Sequence, residues 1–305
     1  MLSQDYPSFE VIVVEDDSSD DSLSVLQDFK KQYSHLQIVK INDKKSKGKK
    51  AALSAAINIA ENEWILLTDA DCKPISEQWI LNMVKCTADP AISVVLGYAP
   101  YYNNRRLISK WVQFETMFVA IQYISSALWK LPYMGVGRNL MYKKSVFGKN
   151  MGFENHKHLP SGDDDLFVNE VSNGDNTTVC LDNHSFMYSE CPSSWKDLYF
   201  QKVRHYSVST HYKPIHKLFL GLVSLSHFSF YLGLFAIIVL NIWNCAILVI
   251  IILRTFLLHM VMIRYMNNTN NFHILPFVCL FDVIVPFYYL IFGINMMKEM
   301  PPEWK

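Results

Sequence analysis

Apolar positions follow two different patterns along the chain. Up to about Lys217 they form short runs broken by polar turns, and from Leu218 to Asn295 they continue almost without charge. In the first part, residues 9–14 (Phe-Glu-Val-Ile-Val-Val), 37–41 and 64–68 carry the β-branched and aromatic side chains of strands. Between them, residues 23–33 place Leu23, Leu26 and Phe29 at helical spacing, and residues 51–62 gather Ala, Leu and Ile on one face. Strand, helix, strand, helix, strand predicts an α/β fold with a mostly parallel sheet and crossover helices. A further helix over 80–86 and a strand over 92–98 extend it. Residues 106–130 put Leu107, Trp111, Phe114, Phe118, Ile121 and Ile124 on one helical face. That face suits either a protein core or a membrane surface, the latter with Arg105, Arg106, Lys110 and Lys130 toward headgroups.

The second part reads as membrane. Residues 218–240 are an uninterrupted apolar run, longer than the roughly 20 residues that span a hydrocarbon core. Residues 243–263, interrupted by Arg254 and His259, and 274–295, interrupted by Asp282, are two further candidates. The expected organisation is a catalytic-type domain over 1–217, three helices within 218–297 and a short polar tail over 298–305. Arg254 and Asp282 would each cost roughly 2.5–3.5 kcal/mol near a helix centre in lipid, so both are expected to face the bundle interior as a pair.

Charge and cysteine usage narrow the function classes. Lys plus Arg and Asp plus Glu are equal at 28 each, so no nucleic-acid partner is expected. The first residues lack a signal-peptide apolar core, and Lys202, Arg204, Lys213 and Lys217 precede the first span. Both features predict an integral membrane protein with its first domain on the cytoplasmic face of a bacterial-type membrane. Six cysteines without Cys-x-x-Cys spacing read as free thiols in a reducing compartment.

Four polar clusters fall at the ends of predicted elements. Asp69-Ala70-Asp71 follows the strand at 64–68, and alternation aims both carboxylates to one side of an extended backbone. Such a pair suits a hard divalent cation on a diphosphate, although alone it reads as a solvated turn. Glu15-Asp16 follows the strand at 9–14, where a carboxylate can accept from a base N–H such as N3 of uracil, or cap the next helix. Lys47-Gly48-Lys49-Lys50 can approach phosphate, or be an ordinary charge run. Asp163-Asp164-Asp165 precedes an apolar helix start. Its mutual repulsion can raise one pKa toward that of a general base, and its acids can equally cap the helix.

In sequence order these clusters, with Gly135-Val136-Gly137-Arg138-Asn139-Leu140, Gly162-Asp163-Asp164-Asp165-Leu166 and Gln201-Lys202-Val203-Arg204-His205, resemble the membrane-anchored branch of the inverting family 2 glycosyltransferases of the GT-A fold. The resemblance covers almost the whole chain and rests on six motifs in order, none specific by itself. It implies a Rossmann-like, mostly parallel catalytic sheet followed by transmembrane helices. It implies a nucleotide-sugar donor, most simply a UDP-sugar, a lipid-linked or glycan acceptor, contact with membrane lipid, and Mg²⁺ or Mn²⁺. By that resemblance Glu15, Asp16, Lys49, Lys50 and Asp69 hold the nucleotide, Asp71 and Asp69 the metal, and Asp164, with Asp163 as runner-up, the base role. Gly137, Asn139, Gln201, Arg204 and His205 border the donor diphosphate and the acceptor.

Two departures qualify the resemblance. His205 stands where the family has Trp, whose broader face stacks on a sugar. With only three spans this favours transfer of one or a few sugars over processive polymer synthesis. The family's first strand, normally central in the nucleotide-binding sheet, also has no counterpart before Met1-Leu2-Ser3-Gln4-Asp5-Tyr6-Pro7. The expectation is therefore either that the reading frame begins upstream or that the chain is a truncated, non-catalytic remnant of such an enzyme.

Overall fold

The computed structural model describes residues 1–41 and 48–295. Residues 44–47 of the basic loop and the 298–305 tail lie outside the described residues. The described residues divide into two compact units, one of Met1–Ala99 with Tyr123–Ser189, the other of Pro100–Gln122 with residues 190–295.

The first unit begins with a parallel pair, β1 (Val11–Glu15) and β2 (Leu36–Lys40), joined by α1 (Ser22–Gln32) and in register from Val11↔Leu36 to Glu15↔Lys40. Helix α2 (Lys49–Ile59) leads to β3 (Trp64–Leu67), followed by the short β4 (Lys73–Pro74), α3 (Trp79–Lys85) and β5 (Val94–Leu96). Helix α4 (Leu107–Leu128) follows, then β6 (Leu140–Lys143), α5 (Lys144–Lys149), α6 (Asp165–Val171), β7 (Thr177–Val179) and β8 (Met187–Tyr188). The larger sheet has the order β3-β6-β5-β7. Strand β6 runs antiparallel to both β3 and β5, and only β5 and β7 are parallel within it.

The α/β reading therefore holds, and the sheet is mixed rather than mostly parallel. The physical reason is β6, four residues whose local pattern carries no sign of direction. It follows the Gly135–Leu140 loop and inserts between two strands that precede it in sequence. Val94, Val95, Leu96, Leu140 and Tyr142 are almost entirely buried, as expected of central strands covered on both faces. Among the described residues β1 pairs only with β2, and β3 only with β6, so two separate sheets carry the strand ends that matter below. The 2-stranded β4–β8 sheet ties Lys73–Pro74 to Tyr188 and Met187.

In the second unit the early turns of α4 are core. Trp111, Val112, Phe114 and Met117 are buried in a cluster with Met262, Met266, Val278 and Phe281. This settles the reading of 106–130 in favour of packing. Leu107, the first residue of the expected apolar face, is exposed instead. Helix α7 (Trp195–Val208) is capped by Ser194, whose side chain accepts from the Asp197 N–H.

Then come α8 (Pro214–Leu240), α9 (Cys245–Thr269) and α10 (Val278–Asn295). Pro214 starts α8 at the position where a missing N–H costs nothing. The turn from α8 to α9 is written in two asparagines. Asn241 closes α8 in the left-handed conformation at φ 53°, and Asn244 opens α9 by accepting from Ile247 N–H at 3.0 Å. Pro214–Leu240, Cys245–Thr269 and Phe272–Gly293 are each long and apolar enough to cross a membrane. Arg254 and Asp282 pair as expected. The Asp282 carboxylate accepts from the Arg254 guanidinium and the Tyr231 hydroxyl, and its other oxygen lies 3.1 Å from His227 Nε2.

Candidate active site

Strand and helix ends in the first unit bring most of the acidic and basic clusters together. Glu15 is the last residue of β1, and its side chain accepts from Ser18 N–H at 2.5 Å, closing the turn. Asp16 reaches the start of α2, where its Oδ2 accepts from Gly48 N–H at 3.3 Å. Gly48 sits at φ +104°, a conformation that disfavours any side chain, so the loop can enter α2 this way only because the residue is glycine.

Lys49 is the centre of the cluster. Its ammonium lies 2.9 Å from Asp69 Oδ1 and 3.0 Å from Asp163 Oδ2. Burial works against that charge, but Asp163, then Asp69 and Asp164, outweigh it and hold the ammonium well above the usual lysine range. Asp163 is thus an ion-pair partner of Lys49. Its neighbour Lys50 points elsewhere and donates to the carbonyls of His156 at 2.6 Å and Leu159 at 3.1 Å. Burial pulls the Lys50 ammonium down to about 8, against the attraction of Asp163, Asp165, Glu170 and Asp164.

Asp164 combines a helix cap with a raised carboxyl pKa. It is the N-cap of α6, with Oδ1 accepting from Asp165 N–H at 2.8 Å. Its Oδ2 accepts from Gly137 N–H at 2.7 Å. Burial and the adjacent Asp163 push the carboxyl up; Lys49 and the two N–H donors pull it partly back. The approach of Gly137 is close, since a Cβ there would stand 3.1 Å from Asp164 Oδ2. Asp165 uses its own Oδ1 to hold Leu166 N–H at 2.7 Å, which leaves it as a helix-start residue.

The Asp-x-Asp pair lies just past β3 as its spacing predicts, with Asp71 exposed and Asp69 partly covered. Donor atoms of Asp69, Asp71 and Cys72 all lie within 4.8 Å of one another. Two hard carboxylates this close are of the type that suits a divalent cation. Cys72 was not singled out by sequence, and its only signal is its place beside Asp71. Burial pushes its thiol up to about 11, with Arg138 pulling the other way.

The loop before β6 is built on Asn139. It is fully buried, donates to Tyr98 O at 2.9 Å and Ser185 O at 2.8 Å, and accepts from Trp79 Nε1 at 3.0 Å. Its amide is therefore committed to the loop. Arg138 beside it donates to Ser189 Oγ at 2.8 Å.

Gln201, Arg204 and His205 lie on α7 in the second unit. Gln201 Nε2 is 3.4 Å from the Tyr101 hydroxyl, Arg204 is half-buried and His205 exposed. Glu115, which sequence reasoning passed over, is 1% exposed and takes Lys202 at 2.5 Å and the Tyr206 hydroxyl at 2.7 Å. It is the single acid in the apolar α4 stretch, which was the available signal. A separate cleft of about 470 Å³, lined by Ser93, Lys143, Ser145, Lys149, Asn150 and Asn176 among others, contains none of the acidic cluster.

The poly-beta-1,6-N-acetyl-D-glucosamine synthase of Staphylococcus epidermidis is 27% identical over 111 residues, 36% of this chain and 26% of that protein. The poly(ribitol-phosphate) beta-glucosyltransferase of Bacillus spizizenii is 30% identical over 107 residues, 34% of this chain and 17% of that protein. The chain thus matches only about a quarter or less of the length of these relatives. Among solved structures, the mannosyltransferase PcManGT from Pyrobaculum calidifontis, in complex with GDP-Man and Mn²⁺, superposes with a TM-score of 0.56 at 16% identity, covering 94% of this chain and 81% of that one. That likeness establishes the GT-A type of fold. Residues 1–150 match the sequence profile of glycosyl transferase family 2, and on that match the chain carries a family 2 glycosyltransferase domain.

Proposed function

We propose that this chain transfers a sugar from a nucleotide-sugar, most simply a UDP-sugar, to a lipid-linked or glycan acceptor at the cytoplasmic face of a membrane, with inversion at the anomeric carbon. The observation that carries this reading is Asp164. Its carboxylate is held by two backbone N–H groups, partly exposed, raised in pKa, and set beside the Lys49 link between Asp163 and Asp69.

Asp164 takes the proton from the acceptor hydroxyl as that oxygen attacks the sugar. Direct displacement from an α-linked donor gives the β product. Asp16 accepts from the base, and Lys49 lies close enough to the Asp-x-Asp turn to face donor phosphate. A divalent ion held by Asp69 and Asp71 would supply charge for the departing diphosphate. Arg204 is proposed for the same task from its motif alone.

The test is a donor screen on the full chain in detergent, with Mg²⁺ or Mn²⁺, beside Asp71→Ala and Asp164→Asn. Transfer that depends on both residues, with the opposite anomeric configuration in the product, supports the reading. Full transfer by both variants overturns the site. Absence of transfer by the parent from any UDP-, GDP- or dTDP-sugar favours the non-catalytic alternative.

A further inference from the structure

Two thiols far apart in sequence meet beneath α3. Cys86 caps the C-terminus of that helix, its N–H reaching back to the carbonyls of Met83 and Val84. Cys180 directly follows β7 and fixes its own backbone by donating to Leu96 O at 2.9 Å. Both sulfurs lie on one acceptor, the Asn82 carbonyl, at 3.5 Å for Cys86 and 3.4 Å for Cys180. The two thiols are close enough to perturb each other's acidity. They sit at the edge of an apolar cluster with Trp79, Met83, Val95 and Met187, where Cys86 is half-buried and Cys180 is 1% exposed.

Cys86 is the one sulfur of the two that a small solute can reach.

We propose that Cys86 and Cys180 form a reversible disulfide site, closed by a hydroperoxide and opened by a thiol reductant. The Cys86 thiol gives up its proton to solvent, and its sulfur attacks one peroxide oxygen. The O–O bond breaks, and the leaving oxygen departs as water or alcohol after taking up a proton. Cys86 is left as a sulfenic acid. Cys180 sulfur then attacks Cys86 sulfur, and the S–O bond breaks with loss of water. In sum two thiols and one peroxide give one disulfide and two waters (one water and an alcohol for an alkyl peroxide). The sulfurs together lose two electrons and the peroxide gains them.

The new bond would tie the end of α3 to the chain leaving β7. These same elements hold Asn139, since Trp79 on α3 donates to its side-chain oxygen and Ser185, just beyond Cys180, accepts from its amide. The site is separate from the acidic cluster and does not depend on the proposed transfer reaction.

The test uses the full chain in detergent, exposed to hydrogen peroxide, alkylated, digested and read by mass spectrometry. A linked pair of peptides carrying Cys86 and Cys180, abolished by dithiothreitol, is expected while Cys191 stays alkylated. The oxidised protein should also melt at a higher temperature than the reduced one. In Cys180→Ser the link is lost and Cys86 is trapped as a sulfenic acid by dimedone. Two results overturn the proposal. One is that Cys86 and Cys180 both stay alkylated while the exposed Cys245 and Cys279 oxidise. The other is that Cys86 in the parent accumulates as sulfenic or sulfinic acid with Cys180 still free.

Discussion

In the proposed reaction Asp164 is the base, and its ionisation also carries a cost in stability. A base must be ionised, so the transfer rate should rise with pH through the raised pKa of this carboxyl. Because the folded protein binds that proton more tightly than the unfolded chain, the stabilisation it gives is complete below the unfolded value, about 4, and is lost as pH rises through the folded one. At neutral pH the ionised side chain therefore opposes folding. Asp164→Asn keeps an oxygen for Asp165 N–H but turns its amide nitrogen toward Gly137 N–H. It should abolish transfer, and its melting temperature relative to the parent should fall as pH drops from 7 toward 4; a difference independent of pH would contradict the raised carboxyl. Gly137→Ala tests the same atom from the other side. Its Cβ would stand 3.1 Å from Asp164 Oδ2, tight enough to displace the carboxylate, so a tenfold or greater loss of rate is expected with little change in melting temperature. Lys49→Met leaves Asp163, whose side chain is 7% exposed, without its cation. Lys49 itself is partly exposed, so a loss of about 1–3 kcal/mol is expected, below the full range for a buried pair. Denaturant titration in detergent would measure it.

At the scale of elements, the two lysines that open α2 divide their work. Lys49 gathers carboxylates, and Lys50 braces the segment leading to α6 through the carbonyls of His156 and Leu159. A second brace comes from α6 itself, where Glu170 accepts from Asn150 at 2.8 Å and lies 3.2 Å from His156 Nδ1. The Lys50 ammonium titrates at about 8, below an unfolded lysine at about 10.5. Between those values the unfolded chain binds more protons, so this group makes stability rise with pH across that window. Lys50→Met should flatten the rise between pH 8 and 10 and speed amide exchange in residues 156–162; unchanged exchange would show that the brace carries no load.

How these elements arise was legible to different degrees. The strands ending at Glu15 and near Asp69, the start of α2 and the α8–α9 hairpin follow from period, turn chemistry and Asn caps within a few residues. Strand β6 did not, because Leu-Met-Tyr-Lys can pair in either direction and its place between β3 and β5 is a tertiary choice. Asn139 was legible as part of a loop near the site, but not as the residue that builds the loop, since its three partners come from distant segments. The same holds for Glu115, whose pairing with Lys202 depends on how α4 and α7 pack, and for the meeting of Cys86 with Cys180.

For the molecule as a whole, the three candidate spans are joined by one polar knot in an apolar setting. Tyr231 on α8, Arg254 on α9 and Asp282 on α10 are mutually hydrogen-bonded, with His227 of α8 on the second carboxylate oxygen. Asp282 is 1% exposed, whereas the Arg254 side chain is 29% exposed and stacks at 4.6 Å over Phe230. Large apolar side chains around it, such as Leu222, Leu232, Phe256 and Ile291, face outward, which suits lipid rather than water. Nothing in lipid-like surroundings drives these helices together by hydrophobic burial alone, so a shared carboxylate fixes which faces meet. Removing one partner leaves the other charged without compensation. Asp282→Ala should cost about 3–5 kcal/mol, and Arg254→Ala less, because the aspartate keeps Tyr231 and His227. Replacing both by Ala should cost less than the two single changes added together. Thermal unfolding of the four proteins in one detergent forms a double-mutant cycle. A coupling near zero would mean that packing alone sets the bundle and that the charges are incidental to it.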